Sequence, residues 1–274
     1  MNCRHCKKEL ISTFLDLGTA PPSNAYLSKG DLEKEESYFP LKVMVCNYCW
    51  LVQTLDYTNA EELFSEDYAY FSSTSSSFLA HAKEYSKNII SNLSLDAESF
   101  VVEIASNDGY LLKNFVESHI PCLGIEPTDS TADAAEKLGI PVLREFFGKN
   151  IAINLSESGK KADLILGNNV YAHVPDINDF TKGLAALLKP EGTITLEFPH
   201  LMRLLEFNQF DTVYHEHFSY LSLHAVTSIF NMAGLRIYNV EELSTHGGSI
   251  RVFGCHANAE ISEDISVKAM LEQE

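Results

Sequence analysis

The chain has 274 residues, room for one large domain or a small domain joined to a medium one, and its 45% hydrophobic content supplies an ordinary globular core. A formal net charge of −18, from 38 acidic and 20 basic side chains, opposes the basic field that non-specific nucleic-acid binding needs. No apolar run is long enough for a transmembrane helix and the opening MNCRHCKKEL lacks the apolar stretch of a secretory signal, so a cytoplasmic location is expected.

Four of the six cysteines form two C-x2-C pairs, Cys3 with Cys6 and Cys46 with Cys49, while Cys122 and Cys255 stand alone. In a cytosolic chain this pattern favours a metal over disulfides. Each pair can sit on a tight turn that aims two thiolates at one tetrahedral ion, usually Zn2+, and four thiolates leave no position for water. The predicted site is therefore structural, with Leu15, Leu17, Ala20, Pro21, Pro22 and Tyr26 expected to cover it. The alternatives are unpaired core cysteines or a nucleic-acid-binding ribbon, the second opposed by the acidic composition.

From residue 99 onward, short apolar runs alternate with amphipathic ones. Strands are predicted over residues 99–105, 121–126, 141–143, 162–167 and 192–198. Helices are predicted from Gly109, over 131–138, from near Gly148, and over 177–188. This alternation predicts a parallel, doubly wound sheet whose ligands sit at the carboxyl ends of the strands. Ser222 is placed to cap a helix over 223–232 ended by Gly234, and the runs 235–240 and 249–255 read as an antiparallel edge hairpin.

The first strand of this region runs into Glu103-Ile104-Ala105-Ser106-Asn107-Asp108-Gly109, with a single glycine where a dinucleotide fold wants three. The second ends at Glu126, where an acid can grip two ribose hydroxyls. Together they favour S-adenosylmethionine over a nicotinamide cofactor. Glu103, Ala105, Asn107, Gly109, Glu126, Asn168 and Asn169 are the candidate cofactor residues. The fourth strand leads into Asn168-Asn169-Val170-Tyr171-Ala172-His173-Val174-Pro175-Asp176, whose polar groups can reach both donor and substrate; the alternative on spacing alone is that His173 is an ordinary surface histidine. Tyr214-His215-Glu216-His217 clusters two imidazoles and a carboxylate able to remove a weakly acidic proton near neutral pH. In an extended stretch His215 would point away from His217.

These motifs carry a resemblance. The paired cysteines, residues 103–109, Asn169-Val-Tyr-Ala-His-Val-Pro-Asp176 and Tyr214-His-Glu-His-Phe-Ser-Tyr220 resemble the S-adenosylmethionine-dependent sugar C-methyltransferases that act on nucleotide-linked keto-deoxysugars. The resemblance covers essentially the whole chain and implies an α/β protein. It implies a small zinc-binding domain (1–60), a helical connector and active-site lid (61–98), and a Rossmann-like class I methyltransferase domain (99–260) with a mostly parallel sheet and an antiparallel edge hairpin. Residues 261–274 would begin a further C-terminal domain, supplied by a continuation of the chain or by a separate polypeptide.

By motif, His217 resembles the general base, with Glu216 and Tyr214 beside it, and His173 and Tyr68 resemble groups contacting the sugar; Tyr70 is an equally placed phenol. Ala105 departs from the family's usual glycine. The implied reaction is removal of the proton beside a keto group by His217, stabilisation of the enolate oxygen by His173 or a tyrosine, and methylation of carbon. Four arginines, Arg144, Arg203, Arg236 and Arg251, are available for phosphate, and spacing does not rank them. Rival readings are an O- or N-methyltransferase of a small metabolite and a non-catalytic cofactor-binding subunit.

Overall fold

The computed structural model describes residues 1–23, 27–55 and 71–274. At the N-terminus each C-x2-C pair closes on a residue in the left-handed region, Lys7 (φ 62°) and Trp50 (φ 60°). The amides of these residues donate to the carbonyls of Cys3 and Cys46, both at 3.0 Å. Two such knuckles bring four sulfurs together. Strands β1 (Ser12–Ala20), β2 (Phe39–Val45) and β3 (Val52–Thr54) follow as an antiparallel meander between and after the pairs.

The expected cover of the cysteines is different. Leu17 is 38% exposed, and Leu15 and Ala20 pack with Leu41, Val43 and Val52 on the sheet. The cysteines are instead buried among Leu10, Met44 and Leu51, because these residues flank the knuckles directly whereas β1 lies at the open edge of its sheet. Tyr26 lies outside the described residues.

Helix α1 (Ser76–Leu93) is capped by Ser75, whose hydroxyl accepts from the Phe78 amide, and buries Ala82, Tyr85 and Ile89. Then come β4 (Val101–Ile104), α2 (Lys113–Glu117), β5 (Cys122–Ile125), α3 (Asp129–Lys137), β6 (Val142–Leu143), α4 (Lys149–Glu157), β7 (Ala162–Asn168), α5 (Ile177–Leu187) and β8 (Leu188–Pro199). Their runs of Val, Ile and Leu are buried on both faces, as a sheet sandwiched between helices demands. The expected helix from Gly109 begins only at Lys113. Gly109 sits at φ +77°, and a Cβ there would lie 2.4 Å from Ile140 Cδ1, so the chain turns sharply before it can coil.

Beyond β8 lie α6 (Leu201–Glu206), β9 (Ser219–Tyr220), α7 (Leu223–Met232), β10 (Leu235–Leu243), β11 (Ser249–His256) and α8 (Ile265–Gln273). The main sheet has seven strands in the order β10-β11-β8-β7-β4-β5-β6, parallel except at β8–β11 and β10–β11. From β4 the chain runs to one side of the sheet through β5 and β6, then returns through α4 to β7 on the other side of β4, which opens a crevice at the carboxyl ends of β4 and β7. Strand β9 does not join this sheet. It pairs with β3, completing a four-stranded sheet β1-β2-β3-β9.

Helix α8 packs its Val267 and Met270 into the core beside β10, and the Glu274 carboxylate accepts from the amides of Leu223 and His224 at the start of α7. No helix among the described residues is long and apolar enough to cross a membrane.

Candidate active site

At the β4–β7 crevice a cavity of about 830 Å3 runs between the tips of the parallel strands and the turn carrying Tyr214–His217. Its size suits a cofactor and a small substrate together. Acidic groups line it (Glu126, Glu145, Asp176, Asp179, Asp211), and no lysine or arginine does among the described lining residues. The four candidate arginines are engaged elsewhere. Arg144 pairs with Asp129, Asp133 and Glu136, Arg203 with Glu206 and Glu242, and Arg251 with Glu197 and Glu241; Arg236 donates to the Ala259 and Ile261 carbonyls. The cavity is therefore suited to a cation and poorly suited to a phosphate.

His217 and His173 meet in this cavity with ring centroids 4.6 Å apart. His217 Nδ1 is 2.9 Å from the Thr212 carbonyl, and His173 Nδ1 is 3.0 Å from the Glu216 carbonyl. A carbonyl oxygen only accepts, so both neutral rings carry their proton on Nδ1 and their lone pair on Nε2. The His217 lone pair accepts from the Tyr214 hydroxyl at 2.9 Å. Burial, then the neighbouring His173, hold the His217 pKa well below its ordinary value. Burial likewise lowers His173 to about 4. Both rings are neutral at physiological pH, the form a base requires.

Residues 214–217 form a reverse turn, the His217 amide donating to the Tyr214 carbonyl at 3.1 Å, rather than the extended stretch expected from sequence. His215 still turns away, its Nε2 donating to the Phe39 carbonyl at 3.2 Å. Glu216 is buried and accepts from the Ser23 hydroxyl; its main contribution to the pair is the backbone carbonyl that holds His173. Tyr68 and Tyr70 lie outside the described residues.

Of the candidate cofactor residues, Ala105, Asn107, Glu126, Asn168 and Asn169 line the cavity, whereas Glu103 and Gly109 do not. Glu126 Oε2 accepts from the Asn107 amide at 2.9 Å and Oε1 from the Thr128 amide at 3.0 Å, which leaves lone pairs on both oxygens for ribose hydroxyls. Both side-chain polar atoms of Asn168 and Oδ1 of Asn169 are buried without a hydrogen-bond partner at the cavity wall. Such orphaned groups call for a polar ligand. Glu103 lies beneath, its pKa pushed well up by burial and then by the charges of Glu126 and Asp108. The turn ties down the chain ahead of α1, since Asn107 Oδ1 accepts from the Ser72 amide at 2.9 Å and Asp108 Oδ2 from the Ser73 amide at 3.0 Å.

Two residues escape sequence reasoning. Glu197, fully buried at the end of β8, accepts from Arg251, His81 and Thr245, while its backbone carbonyl accepts from the Asn169 amide at 2.7 Å. Burial alone would raise its pKa, but His81 and Arg251 hold it below the usual value. Through Thr245 it anchors the turn that puts His246, at φ 50°, on the cavity rim edge-on to Phe78. The local sequence signal for this turn is Thr245-His246-Gly247-Gly248, a glycine pair between the two edge-hairpin runs.

The ligand atoms of Cys3, Cys6, Cys46 and Cys49 all lie within 4.8 Å of one another. Cys3–Cys49 and Cys6–Cys46 sulfur separations are 3.5 and 3.4 Å, near the roughly 3.8 Å edge of a tetrahedron with 2.3 Å metal–sulfur bonds. The four sulfurs fit one Zn2+ and leave no open position. Gln53 Nε2 donates to Cys3 Sγ at 3.2 Å, an outer partner of the kind that steadies a metal thiolate.

Residues 78–240 match the family described as "Methyltransferase domain". The chain belongs to that family. Residues 3–64 match "Putative zinc binding domain", in agreement with the tetrathiolate cluster. The chain is 33% identical over 272 residues to the C-methyltransferase NovU of Streptomyces niveus, covering 99% of this chain and 64% of that protein. It thus spans about two thirds of that relative's length. The fold is that of S-adenosylmethionine-dependent methyltransferases. Magnesium protoporphyrin IX methyltransferase from Synechocystis PCC 6803, solved with bound SAH, superposes with TM-score 0.52 at 13% identity, over 65% of this chain and 83% of that one. An S-adenosylmethionine-dependent methyltransferase from Clostridium acetobutylicum ATCC 824 gives 0.50 at 12% identity, over 64% and 90%.

Proposed function

We propose that the chain methylates carbon on a nucleotide-linked keto-deoxysugar, using S-adenosylmethionine as donor and His217 as base. The observation that carries this reading is the sharing of one acid-rich cavity by a neutral, Nδ1-protonated His217 and the orphaned polar groups of Asn168 and Asn169. Glu126 would take the donor's ribose hydroxyls, and Asn168 and Asn169 its amino-acid portion. When bound, S-adenosylmethionine supplies an electrophilic methyl group, and its positive sulfonium suits the acidic lining.

The keto group of the substrate acidifies the hydrogen on the adjacent carbon, and His217 Nε2 is the atom to receive it. The Tyr214 hydroxyl stands on that lone pair, so the proton passes through the phenol or arrives once the phenol turns aside. His173 presents an acceptor at Nε2 while neutral, so it is better matched to a substrate hydroxyl than to an enolate oxygen; a hydroxyl donor such as a tyrosine is assigned to the latter. Because the described cavity wall has no lysine or arginine, the substrate's diphosphate is assigned to groups outside it.

The test is incubation of the zinc-loaded chain with 13C-methyl-labelled donor and a panel of nucleotide-linked keto sugars. A label on carbon, resistant to hydrolysis, supports the reading. A labelled methyl ether or amine, or bound donor with no turnover on any keto sugar, overturns it. The last outcome would favour a donor-binding subunit.

A further inference from the structure

Arg4 sits between two metal ligands, Cys3 and Cys6, and is 6% exposed. An arginine on a zinc knuckle has no evident need to be buried. Its guanidinium donates from Nη1 to the Pro175 carbonyl at 2.8 Å and from Nη2 to the Thr54 carbonyl at 3.0 Å, and it lies 5.2 Å over the Phe218 ring. Pro175 follows His173 by two residues and Phe218 follows His217 directly. Thr54 is bonded to the same segment twice, from its hydroxyl to the His217 carbonyl at 3.1 Å and from its amide to the Phe218 carbonyl at 3.2 Å. One rigid cationic fork therefore touches both segments that carry the paired imidazoles.

Its own position is fixed from behind. The Arg4 amide donates to Gln53 Oε1 at 2.9 Å, and the Asn178 amide group donates to the carbonyls of Arg4 and His5. His5 Nδ1 donates back to Asn178 Oδ1 at 2.8 Å, which ties the knuckle to the first turn of α5. The guanidinium is planar with donors in fixed directions, so it sets the distance between the groups it bridges; an ammonium, a point charge on a flexible stem, does not.

We propose that Arg4 is a positioning residue for the paired imidazoles, setting the approach of His173 to His217 from the metal knuckle. This rests on the reading that His217 takes the substrate proton. A misplacement of about 1 Å in such a pair costs on the order of 10²-fold in rate.

The experiment compares zinc-loaded wild type, Arg4→Ala and Arg4→Lys. Zinc content, S-adenosylhomocysteine affinity, the NMR resonances of the histidine Nδ1–H protons, and turnover of thymidine diphospho-4-keto-6-deoxyglucose are measured. Expected for Arg4→Ala are full zinc content, near-wild-type S-adenosylhomocysteine affinity and displaced Nδ1–H resonances of His173 and His217. Its kcat should fall on the order of 10²-fold, more than KM changes, with partial recovery in added guanidinium chloride at sub-denaturing concentration. Arg4→Lys should fall between, and it carries the comparison if Arg4→Ala does not fold.

Unchanged resonances with unchanged kcat would overturn the proposal. So would a loss of activity that tracks loss of zinc or donor affinity and is not recovered by guanidinium. If the wild type itself leaves this sugar unmethylated, the assigned reaction fails instead, and the resonances still decide the role of Arg4.

Discussion

Tyr214 keeps its hydroxyl 2.9 Å from Nε2 of His217, with the two rings 4.0 Å apart at 31°. The phenol thus marks the basic nitrogen, while Thr212 holds the other. His217→Asn should bind S-adenosylhomocysteine as the wild type does and lose roughly 10²–10⁴-fold in kcat, the usual worth of a general base. Tyr214→Phe should lose less, because the imidazole keeps its tautomer through Thr212. Retention of near-normal turnover by His217→Asn would remove His217 from the base role.

The pH profile should betray the buried pair. Proton removal needs neutral His217, whose pKa lies well below the ordinary value, so kcat should stay flat through neutrality and decline only on the acid side. Stability moves the same way. His173 titrates at about 4 when folded and near 6.5 when unfolded, so between these values the unfolded chain binds more protons. Stability is complete above about pH 6.5 and drains away toward pH 4, by on the order of 3 kcal/mol from this residue. Urea midpoints that do not change between pH 7 and pH 5 would contradict it.

Glu126 joins two turn amides to the cavity. Glu126→Gln puts an amide NH2 against one of those N–H donors and removes the charge. Calorimetry should find S-adenosylhomocysteine bound about 10- to 100-fold more weakly, matching the 1.5–3 kcal/mol of hydrogen bonds to a charged group. Affinity within two-fold of wild type would place the donor elsewhere.

Ala105 sits at φ +56°, in the left-handed region. A non-glycine residue there is strained by about 1–2 kcal/mol, while glycine adds unfolded-state entropy worth up to about 1 kcal/mol. Ala105→Gly should therefore raise unfolding stability by about 0.5–1 kcal/mol without weakening donor binding. Lower stability in chemical denaturation would show that the Ala105 methyl makes contacts that outweigh its strain.

The parallel sheet was legible because buried strands and amphipathic helices leave continuous and periodic apolar signals. The predicted cap at Ser222 and the helix from Gly148 match α7 and α4. The site was partly legible: His173, Tyr214, His217, Glu126 and the asparagines converge on one cavity. What escaped has no local signature. Ser219–Tyr220 is too short for any periodicity, and only its distant partner Val52–Gln53 makes it a strand. Arg4 and Glu197 look like ordinary charged residues until folding buries them. The turn at 214–217 hid behind residues that would equally suit an extended chain.

The small sheet borrows its last strand from the segment that bears His217. Sequence boundaries between the metal unit and the methyltransferase unit therefore do not coincide with a physical seam. A chimaera grafting a foreign N-terminal module onto residues 78–274 would have to supply new pairing for Ser219–Tyr220 and new support for the histidine that precedes it. Recombination across this family should succeed only where both partners of that pairing travel together.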